Sequence, residues 1–248
     1  MNRIFKANLL AFLLFTFAFI VGCNNEEIVD PATKANIIGS VNLYDEGTNL
    51  IARDGMKVWV VGSSPLISSV TDANGSFNLV DVPFGVYSIG FEKAGFGTYK
   101  MINVVHSNTG SSTVINPSPS LGQISTTTIS GLTSEYSSGD VNLGISTNPA
   151  PTNQVARYIR VFYSKNPAVS FYNYTSYSKV YKHMANPAYV DLGIKALMEM
   201  GFTSGDLVYA RVYGDSFWGN DFDNVATGKR EFPNLNSSTL EAVSFIVP

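Results

Sequence analysis

Apolar and polar residues alternate along most of this chain, in short runs broken by turn residues. A period of two is the signature of half-buried strands, whereas helices repeat every 3.6 residues. Residues 37–44, 56–61 (MKVWVV), 68–71, 77–82, 86–91 and 99–105 read as strands on this basis. Asp45-Glu46-Gly47 and Val82-Pro83-Phe84-Gly85 turn the chain between them. Asp72-Ala73-Asn74-Gly75 predicts a tight hairpin, because Asn and Gly tolerate the positive φ such turns require. A second series of strands follows at 124–131, 141–147, 158–164, 207–213 and 242–247, with a strand or hairpin inside 172–181. Residues 158–164 are bulky on both faces and predict a central strand. One helix interrupts the series: Asp191 is its candidate cap, Ile194, Leu197 and Met198 its apolar stripe, and Gly201 its stop. Residues 108–122 are polar and carry Pro117 and Pro119, which predicts an extended spacer, with Val114-Ile115 finishing the preceding sheet. The fold class expected is all-β: two β-sandwich domains in tandem, 36–123 and 124–248, the second with one short helix.

The amino terminus departs from this pattern. Arg3 and Lys6 precede an apolar run, Leu9 to Val21, that only Thr16 interrupts. Such a run is short for a spanning helix, which needs about 20 apolar residues, and its charged head and small-residue end describe a secretory signal over 1–22. Ile20-Val21-Gly22-Cys23 resembles the lipobox of bacterial lipoproteins. The resemblance implies cleavage before Cys23 and acylation of its thiol, so that Cys23 is the lipid anchor and the bilayer a partner. An ordinary signal peptide that happens to carry a cysteine is the plainer alternative. Residues 23–35 then form a flexible tether with a reach of roughly 20 Å. Glu26-Glu27 within it resembles the acidic export signal of lipoproteins displayed by Bacteroidetes-type bacteria. An outer-membrane location, at the cell surface, is the resulting expectation.

The run V-T-D-A-N-G-S-F-N-L-V-D-V-P-F-G-V-Y-S-I-G-F-E-K-A-G-F, from Val70 to Phe96, resembles the carboxypeptidase regulatory-like domain. That resemblance spans about 70 residues, 37–106, and implies a transthyretin-like β-sandwich without catalysis. Gly205-Asp206-Leu207-Val208-Tyr209-Ala210-Arg211-Val212-Tyr213 resembles the penultimate strand of fibronectin III and Ig-like folds. It implies a corner tyrosine at Tyr209.

Composition narrows the function classes. The leader removes Arg3 and Lys6, so the remaining 226 residues carry 14 Lys+Arg against 19 Asp+Glu, a formal charge of −5. A weakly acidic surface with few charges argues against nucleic acid, whose binding depends on clustered Lys and Arg. Cys23 is the only cysteine, which excludes an intrachain disulfide and a Cys-based zinc site.

Two segments carry candidate chemistry. Residues 214–224 (GDSFWGNDFDN) concentrate Asp215, Asp221 and Asp223 with two Asn and three aromatics. Carboxylate and amide oxygens suit Ca²⁺, though the EF-hand alternation and its closing Glu are missing. Self-bonding Asp and Asn side chains of a turn are the simpler account. The aromatic run Phe171-Tyr172-Asn173-Tyr174 and the later Tyr213, Trp218 and Phe222 compose the second segment. Flat aromatic faces stack on the C–H faces of sugars while Asn and Asp meet their hydroxyls, so Tyr172, Tyr174, Tyr213, Trp218 and Phe222 are the candidate ligand-binding residues. Rings packed on a β-sheet surface are the simpler account here too. Neither His106 nor His183 has metal-ligand neighbours in sequence, and no G-x-S-x-G elbow occurs. The expectation is therefore a non-catalytic surface lipoprotein, with no cofactor, that binds glycan or another extracellular partner. A structural subunit of a cell-envelope assembly is the alternative, and a hydrolase a third.

Overall fold

The computed structural model describes residues 32–248. The leader, Cys23 and most of the expected tether lie outside the described residues.

The first half contains β1 (Lys34–Ser40), β2 (Asn42–Tyr44), β3 (Lys57–Val60), β4 (Ser68–Val70), β5 (Ser76–Pro83), β6 (Gly85–Glu92), β7 (Tyr99–His106), β8 (Thr113–Val114) and β9 (Ser120–Gly122). β4-β3-β6-β7 form one antiparallel sheet; β5-β1-β8 form the facing one. Ile37, Leu79, Val58, Ile89 and Phe91 are fully enclosed between them. These are the alternate positions of their strands, as a two-sided sandwich requires.

Two expectations for this half change. Asp72 does hold its turn: its carboxylate accepts from the backbone N–H of Asn74 and of Ser76, both at 2.8 Å. Gly75 has φ +77°, and a Cβ there would meet the Val41 carbonyl. Yet the flanking strands do not form a hairpin ladder. β4 pairs with β3, and β5 pairs with β1, so the turn carries the chain from one sheet to the other. Residues 108–122 are likewise no spacer. β8 pairs in parallel with β1, and β9 with β2, so this segment closes the sandwich.

The second half contains β10 (Thr128–Ser137), β11 (Asp140–Asn148), β12 (Arg157–Ser164), β13 (Ser176–Tyr177), β14 (Tyr181–His183), β15 (Ala188–Leu192), α1 (Ile194–Glu199), β16 (Leu207–Asp215), β17 (Phe222–Asn224), β18 (Lys229–Glu231) and β19 (Val243–Ile246). β10-β11-β15 face a larger sheet in which β12 lies between β16 and the short strands β13 and β14, with β19 beyond β16. β12 is central, as its bulky residues predict. Ile159, Val161 and Tyr163 enter the core between the sheets, while Phe162 enters a second cluster on the opposite face. Asp191 does not cap α1. It lies in β15, opposite Asn142, and Gly193 occupies the cap position without a side-chain bond. Of the expected stripe only Leu197 is buried, and a six-residue helix has room for little more. Gly201, at φ +92°, ends it as expected. Tyr209 flanks the second cluster, but its hydroxyl makes no hydrogen bond among the described residues, so the expected tyrosine corner is not formed.

The two cores are joined by the segment after β16, which folds back across the first sandwich. Asn234 Oδ1 accepts from Gly97 N–H at 3.0 Å, and its amide donates to the carbonyls of Gly122 (2.9 Å) and Trp218 (2.8 Å). Asn220 accepts from Gly122 N–H at 2.9 Å and donates to the Gly122 carbonyl at 3.0 Å. Both side chains are buried. Buried amides persist only when their donors and acceptors are matched, and these are. Glycines 97 and 122 belong there for space: a Cβ on either would press into the backbone of Pro233 or Trp218. Residues 32–248 accordingly form one compact unit.

Candidate functional site

The Asp-rich segment is neutralised by arginine. Arg160 Nε donates to Asp215 at 2.7 Å, and its Nη2 reaches Asp221 at 3.3 Å. Arg230 Nε donates to Asp221 at 2.6 Å, and its Nη1 to Asp223 at 2.9 Å. The five side chains form an alternating ladder that pins the β17-β18 hairpin to the large sheet. Asp215 is 1% exposed, and burial pushes its carboxyl up to about 6 against the pull of Arg160. Asp215, Asp221 and Asp223, the calcium candidates, are thus held in ion pairs within the chain. Their oxygens already bond to guanidinium groups, and among the described residues no cluster of three or more His, Cys, Asp or Glu is placed to hold a metal.

The candidate ligand aromatics separate into two groups. Trp218 packs on Tyr44 of the first sandwich, with ring centroids 5.2 Å apart. Phe222 is buried against Tyr99 (6.3 Å) and lies under the Lys100 ammonium (5.6 Å). These two join the halves of the molecule. Tyr213, only 3% exposed, meets Phe162 edge-on at 5.6 Å. Tyr213 and Phe222 are buried, and a buried ring cannot stack on a sugar; Trp218 is partly covered by Tyr44 and Phe217.

Tyr172 and Tyr174 remain. The loop after β12 brings them back over the sheet, held by mutual backbone bonds between Ser170 and Asn173 and by Asn173 Nδ2 donating to the Ala168 carbonyl at 3.2 Å. Beneath lies the second cluster, Phe162, Tyr177, Tyr213 and Phe232; Phe162 meets Tyr213 and Phe232 edge-to-face at 5.6 and 4.9 Å, as does Tyr177 with Phe232 at 4.9 Å. Arg160 sits over the Phe232 ring at 4.8 Å, which ties this cluster to the charge ladder. Tyr174 is half-buried, and its hydroxyl donates to the Arg230 carbonyl at 3.4 Å. Tyr172 is 74% exposed and leans on Phe171, centroids 4.0 Å apart.

Phe171 and Tyr172, with Phe232, Pro233, Thr227 and residues 229–231, line a cleft of about 300 Å³. Lys229 Nζ donates to the Tyr172 carbonyl at 3.2 Å, and Glu231 is bonded by the Asn224 amide. The site is thus one open aromatic face on a closed aromatic floor, with charged and hydroxyl groups at the rim. Sequence reasoning found Phe171 and Tyr172, placed Tyr174 beside them though it lies outside the lining, and missed Lys229, Glu231, Phe232 and Pro233. Their only signal was a Phe-Pro pair after a charged turn, which says nothing of its partner across the sheet. His106 is buried, bonded to Thr113 (2.7 Å) and the Val82 carbonyl (3.0 Å), and His183 bonds the Ala185 carbonyl at 3.0 Å. Neither histidine contacts the carboxylates of the ladder.

Comparison with known proteins gives no family model that matches and no match among curated proteins. Among solved structures, the chain is similar to a type II cohesin-X-dockerin complex from Acetivibrio cellulolyticus, at 23% identity over 35% of this chain, with TM-score 0.28. The match spans about half (52%) of that chain's length. It is also similar to a "putative carbohydrate binding protein" from Bacteroides uniformis, at 15% identity, 86% of this chain, 98% of the other and TM-score 0.30. A DUF3823 family protein from Bacteroides ovatus matches at 10% identity, 87% of this chain, all (100%) of the other and TM-score 0.28. At these scores the likenesses carry no argument about what this chain does. Among the described residues no helix is long and apolar enough to cross a membrane.

Proposed function

We propose that the chain is a non-catalytic binding protein of the bacterial surface, anchored through an acylated Cys23, which meets an extracellular glycan at the Tyr172 cleft. The supporting observation is the exposure of Tyr172 at 74% above an aromatic floor that is otherwise closed. A large ring left open and leaning on Phe171 suits the C–H face of a sugar, because a side chain with two rotatable bonds loses little entropy on binding. Thr227, Lys229 and Glu231 at the rim offer donors and acceptors for hydroxyls. Absence of catalysis is supported by the pairing of the buried carboxylates with arginines. The anchor rests on the sequence between Ile20 and Cys23, and the outer-membrane location on the lipobox and the acidic pair after it.

A glycan array probed with the chain and with Tyr172→Ala tests the site. Binding should weaken at least tenfold in the variant, with an unchanged circular dichroism spectrum. Equal binding by parent and variant, or none by the parent, would remove the proposal. Labelled palmitate should enter the parent and not Cys23→Ser; failure to label the parent removes the anchor.

A further inference from the structure

A second cleft, of about 490 Å³, opens where the loop after β2 meets the loop before β12, on a different part of the molecule from Tyr172. It is lined by Asp45 and Glu46 from the first sandwich and by Asn153, Gln154, Arg157 and Lys182 from the second. Its volume falls among ligand clefts of roughly 300–1,000 Å³, and the seam between two packed units is a favoured place for one.

The charged groups of this cleft are unequally provided for. Asp45 is satisfied by its own loop: Gly47 N–H at 2.7 Å, Asn49 N–H at 3.2 Å and Asn49 Nδ2 at 2.7 Å. Glu46 accepts from the hydroxyls of Ser125 and Thr126. The cations have no such provision. Among the described residues, neither Arg157 nor Lys182 has an ion-pair partner. Arg157 Nε is shut from solvent and has no acceptor. Of the Arg157 guanidinium nitrogens only Nε is closed off, so a group entering the cleft meets the Nη atoms, which have no acceptor among the described residues. His183, opposite Arg157 in the β12-β14 ladder, does not bond to it: its Nδ1 bonds the Ala185 carbonyl and its Nε2 lacks a partner.

From this asymmetry we infer that the inter-sandwich cleft binds an acidic sugar, whose carboxylate meets Arg157 and Lys182 and whose hydroxyls meet Asp45, Glu46, Asn153 and Gln154. A planar guanidinium matches a carboxylate with two parallel bonds, and a nearby ammonium adds charge. Two carboxylates in the same wall disfavour a compact inorganic anion. They retain lone pairs for hydroxyl donors, however, which a sugar has and a simple carboxylate lacks.

Calorimetric titration of the chain with digalacturonate, 3′-sialyllactose, the methyl ester of digalacturonate and free glutamate tests this assignment. At least one of the two acidic sugars should bind. The same sugar should bind at least tenfold more weakly to Arg157→Gln and at least threefold more weakly to Lys182→Gln, and affinity should fall with added salt. Should Arg157→Gln fail to fold, Lys182→Gln, on an exposed side chain, decides the matter alone. Tyr172→Ala should bind as the parent does, which separates this cleft from the one proposed above. The inference is overturned if neither acidic sugar binds, if the ester binds as well as the acid, if glutamate matches the sugars, or if the Arg157 and Lys182 variants behave as the parent.

Discussion

The Asn220 amide donates to the side-chain oxygen of Asn234 at 3.0 Å, 14 residues away in sequence, at a point where both residues are closed to solvent. Around that bond the two amides hold Gly97, Gly122 and Trp218 by their backbone groups. The join between the sandwiches is therefore polar at its centre and aromatic at its edges.

Asn234→Ala would leave the Gly97 N–H and the Trp218 carbonyl buried without this partner. Each such group costs about 1–3 kcal/mol, so the variant should lose about 3 kcal/mol or more in urea unfolding. Its single transition should also split as the halves come apart. A loss below about 1 kcal/mol would show that the amides are not what joins the two cores.

The glycines at the join make a related forecast. A Cβ on Gly122 would lie 2.5 Å from the Trp218 carbonyl oxygen, and backbone cannot swing aside. At Gly95, by contrast, φ is +84° and nothing lies within 4 Å of the added atom. Gly95→Ala should therefore cost only backbone strain, about 1 kcal/mol, and Gly122→Ala distinctly more. Thermal unfolding of the two variants gives the order.

Asp215 titrates near 6 in the folded chain and near 4 when unfolded. Between those values the folded state binds more protons, so this group's contribution to stability grows as the pH falls from about 6 to about 4 and is flat outside that window. Relative to Asp215→Asn, the parent should gain stability over that interval, by at most about 3 kcal/mol. A difference that shrinks on acidification would contradict the burial argument.

Asp206 should behave in the opposite sense. Lys165 at 2.7 Å and the backbone and hydroxyl of Thr203 hold its carboxyl down at about 2. Its contribution is complete above the unfolded value near 4 and is lost as the pH falls through about 2. The stability difference between the parent and Asp206→Asn should be constant from pH 8 to 5 and fade below 4, as followed by acid titration of circular dichroism.

What the sequence alone determined is local. Alternation in 77–82 and 141–147 marks strands because a pleated chain must put successive side chains on opposite faces. Asp72 and Gly75 mark a turn because the Asp72 carboxylate accepts from the turn's backbone N–H groups and Gly75 takes its positive φ, and the bulk of 158–164 marks a strand covered on both sides. The reading of Cys23 as an anchor belongs to the sequence in full. Only the tertiary structure decided which sheet β4 and β5 each joined, and what covered each aromatic. Trp218 and Tyr172 look alike in sequence, yet Tyr44 packs against one ring while the other stays 74% exposed. The carboxylates that suggested calcium were answered by Arg160, 55 residues from Asp215. A period of two specifies that a side chain has a face. Which group arrives at that face, from far along the chain, is settled by packing, which no local pattern encodes.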